Sequence, residues 1–129
     1  MPITNETKHQ RAIGAVLDQF AQRGIYLAVR THKNSYRLDT AGQKQRIRVY
    51  GKFGEDWQTD DWQRDAADET YDVVVLVDFA EPVPVLFLVP GDEWRRMLEA
   101  HSVPERSNRH QAVPKSRVVQ WLYRWDVMD

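Results

Sequence analysis

The first stretch of the chain has the apolar spacing of a helix. Side chains that a helix would bury together recur at intervals of three and four residues, at Ile13, Val16, Leu17 and Phe20. This spacing places them on one side of a helix, the side that packs against a core. Gly24 follows where a helix commonly ends in a left-handed residue. The pattern predicts one helix over residues 5–23.

After Gly24 the pattern changes to that of strands. Residues 25–31 are rich in β-branched and aromatic side chains, which suit a pleated sheet. The polar triplet at 32–34 has turn chemistry and separates this run from a second one at 35–38. The two runs predict a pair of neighbouring strands.

A third strand is predicted from strict alternation beyond a turn at 40–43. Ile47 and Val49 alternate with Arg46, Arg48 and Tyr50, which is the period of a strand with one buried face. Ile47 and Val49 are therefore expected to face the core. Arg46 and Arg48 then share the opposite face, and Lys52 follows just beyond Gly51.

The middle of the chain holds its most apolar segment. Residues 73–77 form an unbroken β-branched run, typical of a strand covered on both faces. Glu81 and Pro82 provide a turn, so residues 83–89 are expected to pair with this central strand as an antiparallel hairpin. Gly91 and Asp92 offer a cap for a helix whose buried side carries Trp94, Met97 and Leu98.

Three other segments are less regular. The acidic stretch 53–70 predicts a long loop or a short helical excursion, and residues 102–116, with two prolines, predict an exposed connection. Residues 117–128 carry apolar side chains at helical spacing and predict a final helix packed back on the sheet. Together the elements predict an α+β fold with a mixed central β-sheet of about five strands flanked by helices.

Composition limits the class of protein. A chain of 129 residues with 42% hydrophobic and 29% charged residues predicts a single domain spanning 1–129 with a real core. The absence of cysteine removes disulfides, thiolate metal sites and cysteine nucleophiles, and favours a reducing, cytoplasmic setting. No apolar stretch approaches the roughly 20 residues that cross a bilayer, so no membrane partner is expected.

The net charge of −1 conceals an uneven distribution. Residues 1–54 carry ten Lys and Arg against three Asp and Glu, or +7, whereas residues 55–72 carry eight acidic groups against Arg64 alone, or −7. A basic face of this kind suits a polyanionic partner. The alternative is that the two blocks lie side by side and neutralise each other.

Two apolar segments and the terminal run carry a resemblance to a known group of proteins. The run Tyr71–Val77 leading to Phe87–Pro90 and a helix, together with the closing Tyr123–Met128, resembles small members of the PD-(D/E)XK nuclease-like superfamily. The resemblance covers most of the chain and implies a restriction-endonuclease-like fold. It also implies contexts such as DNA restriction, repair or mobile-element biology, of bacterial or viral character, with a homodimer left open.

The resemblance implies a metal site that this sequence does not reproduce. In the superfamily an acidic residue on one strand, and Glu or Gln followed two residues later by Lys on the next, hold Mg²⁺ and the attacking water. Here Arg48 stands at the position of the ligand and Tyr50 at that of the lysine. A guanidinium repels a cation. Asp39 lies near the first carboxylate position, but its more ordinary role is to open the turn that follows.

Three functions remain open at this point. In the first, the chain is a catalytically degenerate module that binds the nucleic-acid backbone, or a regulatory subunit in DNA processing, with the contacts made by Arg37, Arg46, Arg48 and Lys52. The second is an active Mg²⁺-dependent endonuclease whose site has shifted, with Asp39, Glu55 or Asp56, and Lys52 converging. The third is a scaffold that binds a protein partner.

Tryptophan and histidine complete the candidate chemistry. Trp57 and Trp62, in the acidic stretch, are candidate exposed anchors for a protein partner or for stacked bases, with one of the two expected to be buried. The four histidines are never spaced as ligands on one helix face, so no zinc site is expected. We expect no cofactor, and magnesium only if the endonuclease alternative holds.

Overall fold

A computed structural model describes residues 4–32, 35–59, 71–101 and 111–129. Within these ranges the helices are α1 (Asn5–Gln22) and α2 (Gly91–Ala100). The strands are β1 (Leu27–His32), β2 (Ser35–Thr40), β3 (Arg46–Lys52), β4 (Trp57–Thr59), β5 (Val73–Asp78), β6 (Val85–Pro90) and β7 (Gln111–Val113). No helix of the described residues is long and apolar enough to cross a membrane.

Five strands form one mixed sheet in the order β1-β2-β3-β5-β6. The neighbours β1–β2, β2–β3 and β5–β6 pair antiparallel, whereas β3 and β5 pair parallel over six positions. Strands β4 and β7 form a separate two-stranded antiparallel sheet. The predicted α+β fold with a mixed sheet of about five strands is confirmed.

Strand β5 lies inside the sheet and is covered on both faces, as its unbroken apolar run predicts. All six of its residues are buried. On one face Val75 and Val77 join a core that includes Val16 and Phe20 of α1. On the other face Leu76 joins a second core, built around α2. The predicted hairpin is also confirmed, because β6 pairs with β5 along its whole length.

The predicted first helix is confirmed as α1. It begins after Thr4, whose Oγ1 accepts a hydrogen bond from the N–H of Thr7 at 3.2 Å. Its buried side chains lie against β3 and β5. Gly51 of β3 lets the helix approach closely, since a Cβ there would lie 2.9 Å from the Cβ of Ala12.

The predicted C-terminal helix over residues 117–128 is wrong. The segment instead forms short 3-10 turns at Lys115–Arg117, Val119–Trp121 and Trp125–Met128. Between them Leu122 is extended and bridges Phe87 of β6, and Tyr123 has a positive φ of 50° and donates its N–H to Leu86 at 3.0 Å. These contacts with β6 replace helical hydrogen bonds. The segment does pack back on the sheet, as predicted.

Two segments predicted without strands contain short ones. Trp57–Thr59 is strand β4 and Gln111–Val113 is strand β7, and the two pair with each other. Burial explains both, because Trp57 and Val113 are fully buried in the core beneath α2. The rest of the acidic stretch, residues 60–70, and residues 102–110 of the predicted connection lie outside the described ranges.

Helix α2 follows β6 directly and needs glycine at its first position. The N–H of Gly91 donates to the carbonyl of Asp72 at 2.8 Å, and a Cβ on Gly91 would overlap the carbonyl oxygen of Tyr71. The predicted cap at Gly91 and Asp92 is wrong, since Pro90 precedes the helix without a side-chain cap. The start of the helix is held instead by the backbone hydrogen bond from Gly91 to Asp72, just before β5.

We expect Gly91→Ala to lower the free energy of unfolding by at least about 2 kcal/mol, because backbone atoms cannot yield as a flexible side chain would. Gly14→Ala is the matched control. Its Cβ would meet nothing within 4 Å on α1, so it should be neutral or stabilise by up to about 1 kcal/mol. Urea unfolding measures both. Equal effects would contradict the close approach at Gly91.

Candidate nucleic-acid interface

Arginines from three neighbouring strands share one face of the sheet, on the side away from α1. The register pairs Arg30 with Arg37 and Asp39 with Arg46, and alternation along β3 places Arg48 on the same side. We call the surface formed by Arg30, Arg37, Arg46 and Arg48 the basic face. Helix α2 contacts β5 and β6, the other half of the sheet.

A single buried carboxylate organises part of the basic face. Asp39 is 1% exposed and lies between two guanidinium groups. Nε of Arg30 donates to it at 2.7 Å, and Nε of Arg37 donates at 3.0 Å. The two arginines remain 49% and 34% exposed. Asp39 therefore fixes two outward-facing cations.

The predicted turn role of Asp39 is wrong. The turn after β2 is closed by Thr40, whose Oγ1 accepts the N–H of Gln45 at 2.9 Å, and by Gly42 with its φ of 72°. The carboxylate of Asp39 points instead to its arginine neighbours. The ion pairs displace the simpler local hydrogen bond that sequence position suggests.

Arg48 and Tyr50 occupy the positions where the resemblance implies a metal ligand and a lysine. Nη1 of Arg48 donates to the hydroxyl of Tyr71 at 2.9 Å, and its guanidinium lies 5.0 Å from the ring of Tyr50 and 5.4 Å from that of Tyr71. Tyr50 also accepts a hydrogen bond from Thr59 at 3.0 Å and stacks on Trp94. The side chains of Arg48, Tyr50 and Tyr71 therefore occupy the position where the resemblance implies a metal site.

A cavity of about 260 Å³ opens beside β3 and the first turns of α1. Its lining residues are Asn5, Lys8, His9, Arg48, Val49, Tyr50, Gly51 and Phe53. Burial and the nearby positive charge of Arg48 lower the pKa of His9.

The structure does not bring Lys52 together with the arginines. Its ammonium lies 3.4 Å from Asp78, which also pairs with Lys115 at 3.2 Å, and its side chain is only 12% exposed. Burial alone would raise the pKa of Asp78, but the N–H of Ala80 and the two lysines hold it below its usual value. This cluster ties the segment after β7 to the end of β5.

Arg46 is exposed at the start of β3, and its backbone is tied to the neighbouring strand. Its N–H donates to the carboxylate of Asp72 at 2.8 Å, and the N–H of Asp72 donates to the Arg46 carbonyl at 2.9 Å. Asp72 is therefore a second acidic group near the basic face. Most of the acidic block predicted from the sequence lies outside the described residues, so whether it covers the basic face stays a prediction.

The shifted metal site is not assembled in the described part of the chain. Asp39 lies opposite Arg46 at the start of β3. Lys52 lies six residues further along the strand, roughly 20 Å away at about 3.3 Å per residue. Glu55 and Asp56 are exposed beyond that end. The described residues contain no group of three His, Asp or Glu side chains arranged to hold a metal ion.

The prediction of Trp57 as an exposed anchor is wrong. Trp57 is fully buried, and its Nε1 donates to the carbonyl of Val77 at 3.1 Å. A side chain used this way is part of the core. Trp62 lies outside the described residues.

Three basic residues of this region do not stand out in the sequence: Arg30, Lys8 and His9. Arg30 joins the basic face because β1 and β2 pair with Arg30 opposite Arg37, and only the register reveals this. Lys8 and His9 line the cavity because α1 packs close to β3. The sequence shows that both residues lie in the first turns of a helix, but it does not show which strand that helix packs against.

Comparison with known proteins supports the class of fold. The chain has a nuclease-like α+β fold: it matches the structure of a bacterial homing endonuclease, I-Ssp6803I, with a TM-score of 0.57 and 14% sequence identity. The match covers 97% of this chain and 91% of that one. No protein-family model and no curated protein matches the sequence. At this identity the likeness establishes the fold alone.

Because the folded state favours neutral His9, its protonation links stability to pH. In the unfolded chain histidine titrates near pH 6.5, above its lowered pKa in the fold. The unfolded state then binds more protons, so stability falls as pH drops through this window. We expect His9→Gln to reduce the loss of unfolding free energy between about pH 7.5 and pH 5.5.

Urea unfolding across that pH range measures the effect. The control is His101→Gln, an exposed position after α2, which should keep the slope of the parent protein. An unchanged slope in His9→Gln would contradict the linkage to His9.

Proposed function

We propose that this chain is a catalytically degenerate nuclease-fold module that holds the phosphate backbone of nucleic acid on its basic face. In this proposal the fold is of the PD-(D/E)XK kind, and arginines have replaced its metal chemistry. The observation that carries the proposal is the arrangement around Asp39 and Arg48. The carboxylate is closed off by Arg30 and Arg37, and a guanidinium occupies the neighbouring position on β3.

The charge arrangement favours phosphate over a cation. A divalent ion needs several oxygen ligands that remain available to it. Asp39 already accepts hydrogen bonds from two arginines, and Arg48 adds a positive charge on the same face. Phosphate oxygens are acceptors, and the planar guanidinium group matches them with paired N–H donors.

The geometry of the basic face suits backbone contact. Its arginines project from strands that are paired with one another, so their Cα positions are fixed by the sheet. Contacts to phosphate fix orientation but carry little sequence information. The structural neighbour is a homing endonuclease, which supports a nucleic-acid partner for the same fold. We propose a regulatory role in DNA processing for a module that binds without cleavage.

We expect Arg46→Ala to weaken binding to unrelated duplex DNA sequences alike, because phosphate contacts do not read bases. Each lost contact should lower the slope of log affinity against log salt by about 0.9. Fluorescence anisotropy over a salt series measures both quantities. Arg46 is the suitable position because its side chain is exposed. Removing Arg30 or Arg37 would also take away an ion-pair partner of the buried Asp39 carboxylate and so destabilise the fold.

Arg124→Ala is the matched control. It removes the same charge beyond β6, the opposite edge of the sheet, where Arg124 pairs with Asp126 at 2.8 Å. It should leave both affinity and salt slope as in the parent protein. Equal effects of the two variants, or no DNA binding by the parent, would reject the basic face as the binding surface.

The endonuclease alternative has a separate test. We expect no cleavage of duplex or single-stranded DNA or of RNA in Mg²⁺ or Mn²⁺, because Asp39 is held by guanidinium groups. The assay uses excess protein over end-labelled substrates. Divalent-dependent cleavage that disappears in Asp39→Asn would overturn the degenerate assignment.

A further inference from the structure

The cavity beside β3 has a chemistry distinct from that of the open basic face. Its lining includes Lys8, His9 and Asn5 of α1 and Arg48 of β3. None of its lining residues, in the part of the chain that the structure describes, is acidic. The cavity is therefore a cluster of hydrogen-bond donors and positive charge.

The two permanent cations of the cavity are held in place by the fold. The guanidinium of Arg48 is fixed by the hydroxyl and ring of Tyr71. Lys8 extends over the ring of Phe53, with Nζ at 5.6 Å from its centroid. Close approach of α1 to β3 at Gly51 brings Lys8 and Arg48 into the lining of one cavity.

The remainder of the lining indicates how much negative charge fits. Val49, Gly51 and Phe53 give the cavity an apolar wall, and charges beside such a wall are costly unless they are neutralised. Lys8 and Arg48 together carry two positive charges. A phosphodiester within a strand supplies one negative charge, whereas a phosphate monoester supplies about 1.5 to 2 at pH 7.

We propose that this cavity binds a phosphate monoester, as the terminal phosphate of a nucleic-acid strand or as free phosphate. Binding of a nucleic-acid end rests on the proposed function: the terminal phosphate lies in the cavity and the adjoining nucleic-acid backbone on the basic face. Arg48 belongs to both surfaces and joins them. His9 and Asn5 add neutral N–H donors to the same oxygens.

The test compares three internally labelled oligonucleotides of one sequence, with a 5′-phosphate, a 3′-phosphate or hydroxyls at both ends. We expect one phosphorylated form to bind at least about tenfold more tightly than the hydroxyl form, the gain of charge-assisted hydrogen bonds. Lys8→Ala should remove that preference. Arg11→Ala is the matched control, since Arg11 lies on the same helix and over the rings of Phe53 and Phe79 but is not among the residues that line the cavity.

Inorganic phosphate separates the two sources of the ligand. It should raise the melting temperature of the parent and of Arg11→Ala but not that of Lys8→Ala, which also shows that each variant folds. If inorganic phosphate binds as tightly as the phosphorylated strand, the ligand is free phosphate. If it competes weakly, the strand end is the ligand.

The outcomes distinguish this inference from the proposed function. Equal binding of all three oligonucleotides, with no thermal shift by phosphate, would overturn the monoester cavity and leave backbone binding standing. A terminal-phosphate preference lost in Lys8→Ala, together with an overall DNA affinity and salt slope that Arg46→Ala leaves unchanged, would support the cavity and reject the basic face.

Discussion

The parallel pairing of β3 with β5 is the constraint on which the rest of the structure depends. Their register runs from Ile47↔Val73 to Lys52↔Asp78, and parallel neighbours require a crossover connection rather than a tight turn. The pairing puts β5 between β3 and β6, where both of its faces can be buried. It also leaves β1 and β2 on the other side of β3, so one sheet has an apolar half under α2 and a basic half.

The same pairing explains which parts of the fold could be predicted. Helix α1 and the β5–β6 hairpin follow from local periodicity, because each buries residues close in sequence. Strands β4 and β7 do not, since Trp57–Thr59 becomes a strand only by pairing with Gln111–Val113. The terminal segment has helical spacing, yet contact with the edge of β6 at Phe87 and Leu86 outweighs helix formation.

For the candidate site, the alternation of polar and apolar residues predicted which side chains of β3 share a face, but not which residues of other elements lie beside them. It correctly places Arg46 and Arg48 on one face of β3, and the register adds Arg30 and Arg37. Lys52 has the same parity but meets Asp78 at the end of the parallel neighbour. Lys8 and His9 reach the cavity through packing of α1 on β3. Contacts between residues so far apart in the chain cannot be predicted from a single sequence.

In the proposed function, arginines standing in place of a metal change what the site can do, not only its charge. A divalent ion polarises phosphate and activates water, whereas a guanidinium can only orient and neutralise. Arg30 engages Asp39 through Nε, and Arg37 through Nε and Nη2. Each guanidinium has five N–H donors, so these bonds to the carboxylate use a minority of them, and the two side chains stay 49% and 34% exposed. If the proposal holds, side chains already ordered by Asp39 lose less entropy on contact with phosphate and bind it more strongly than a set of free arginines would.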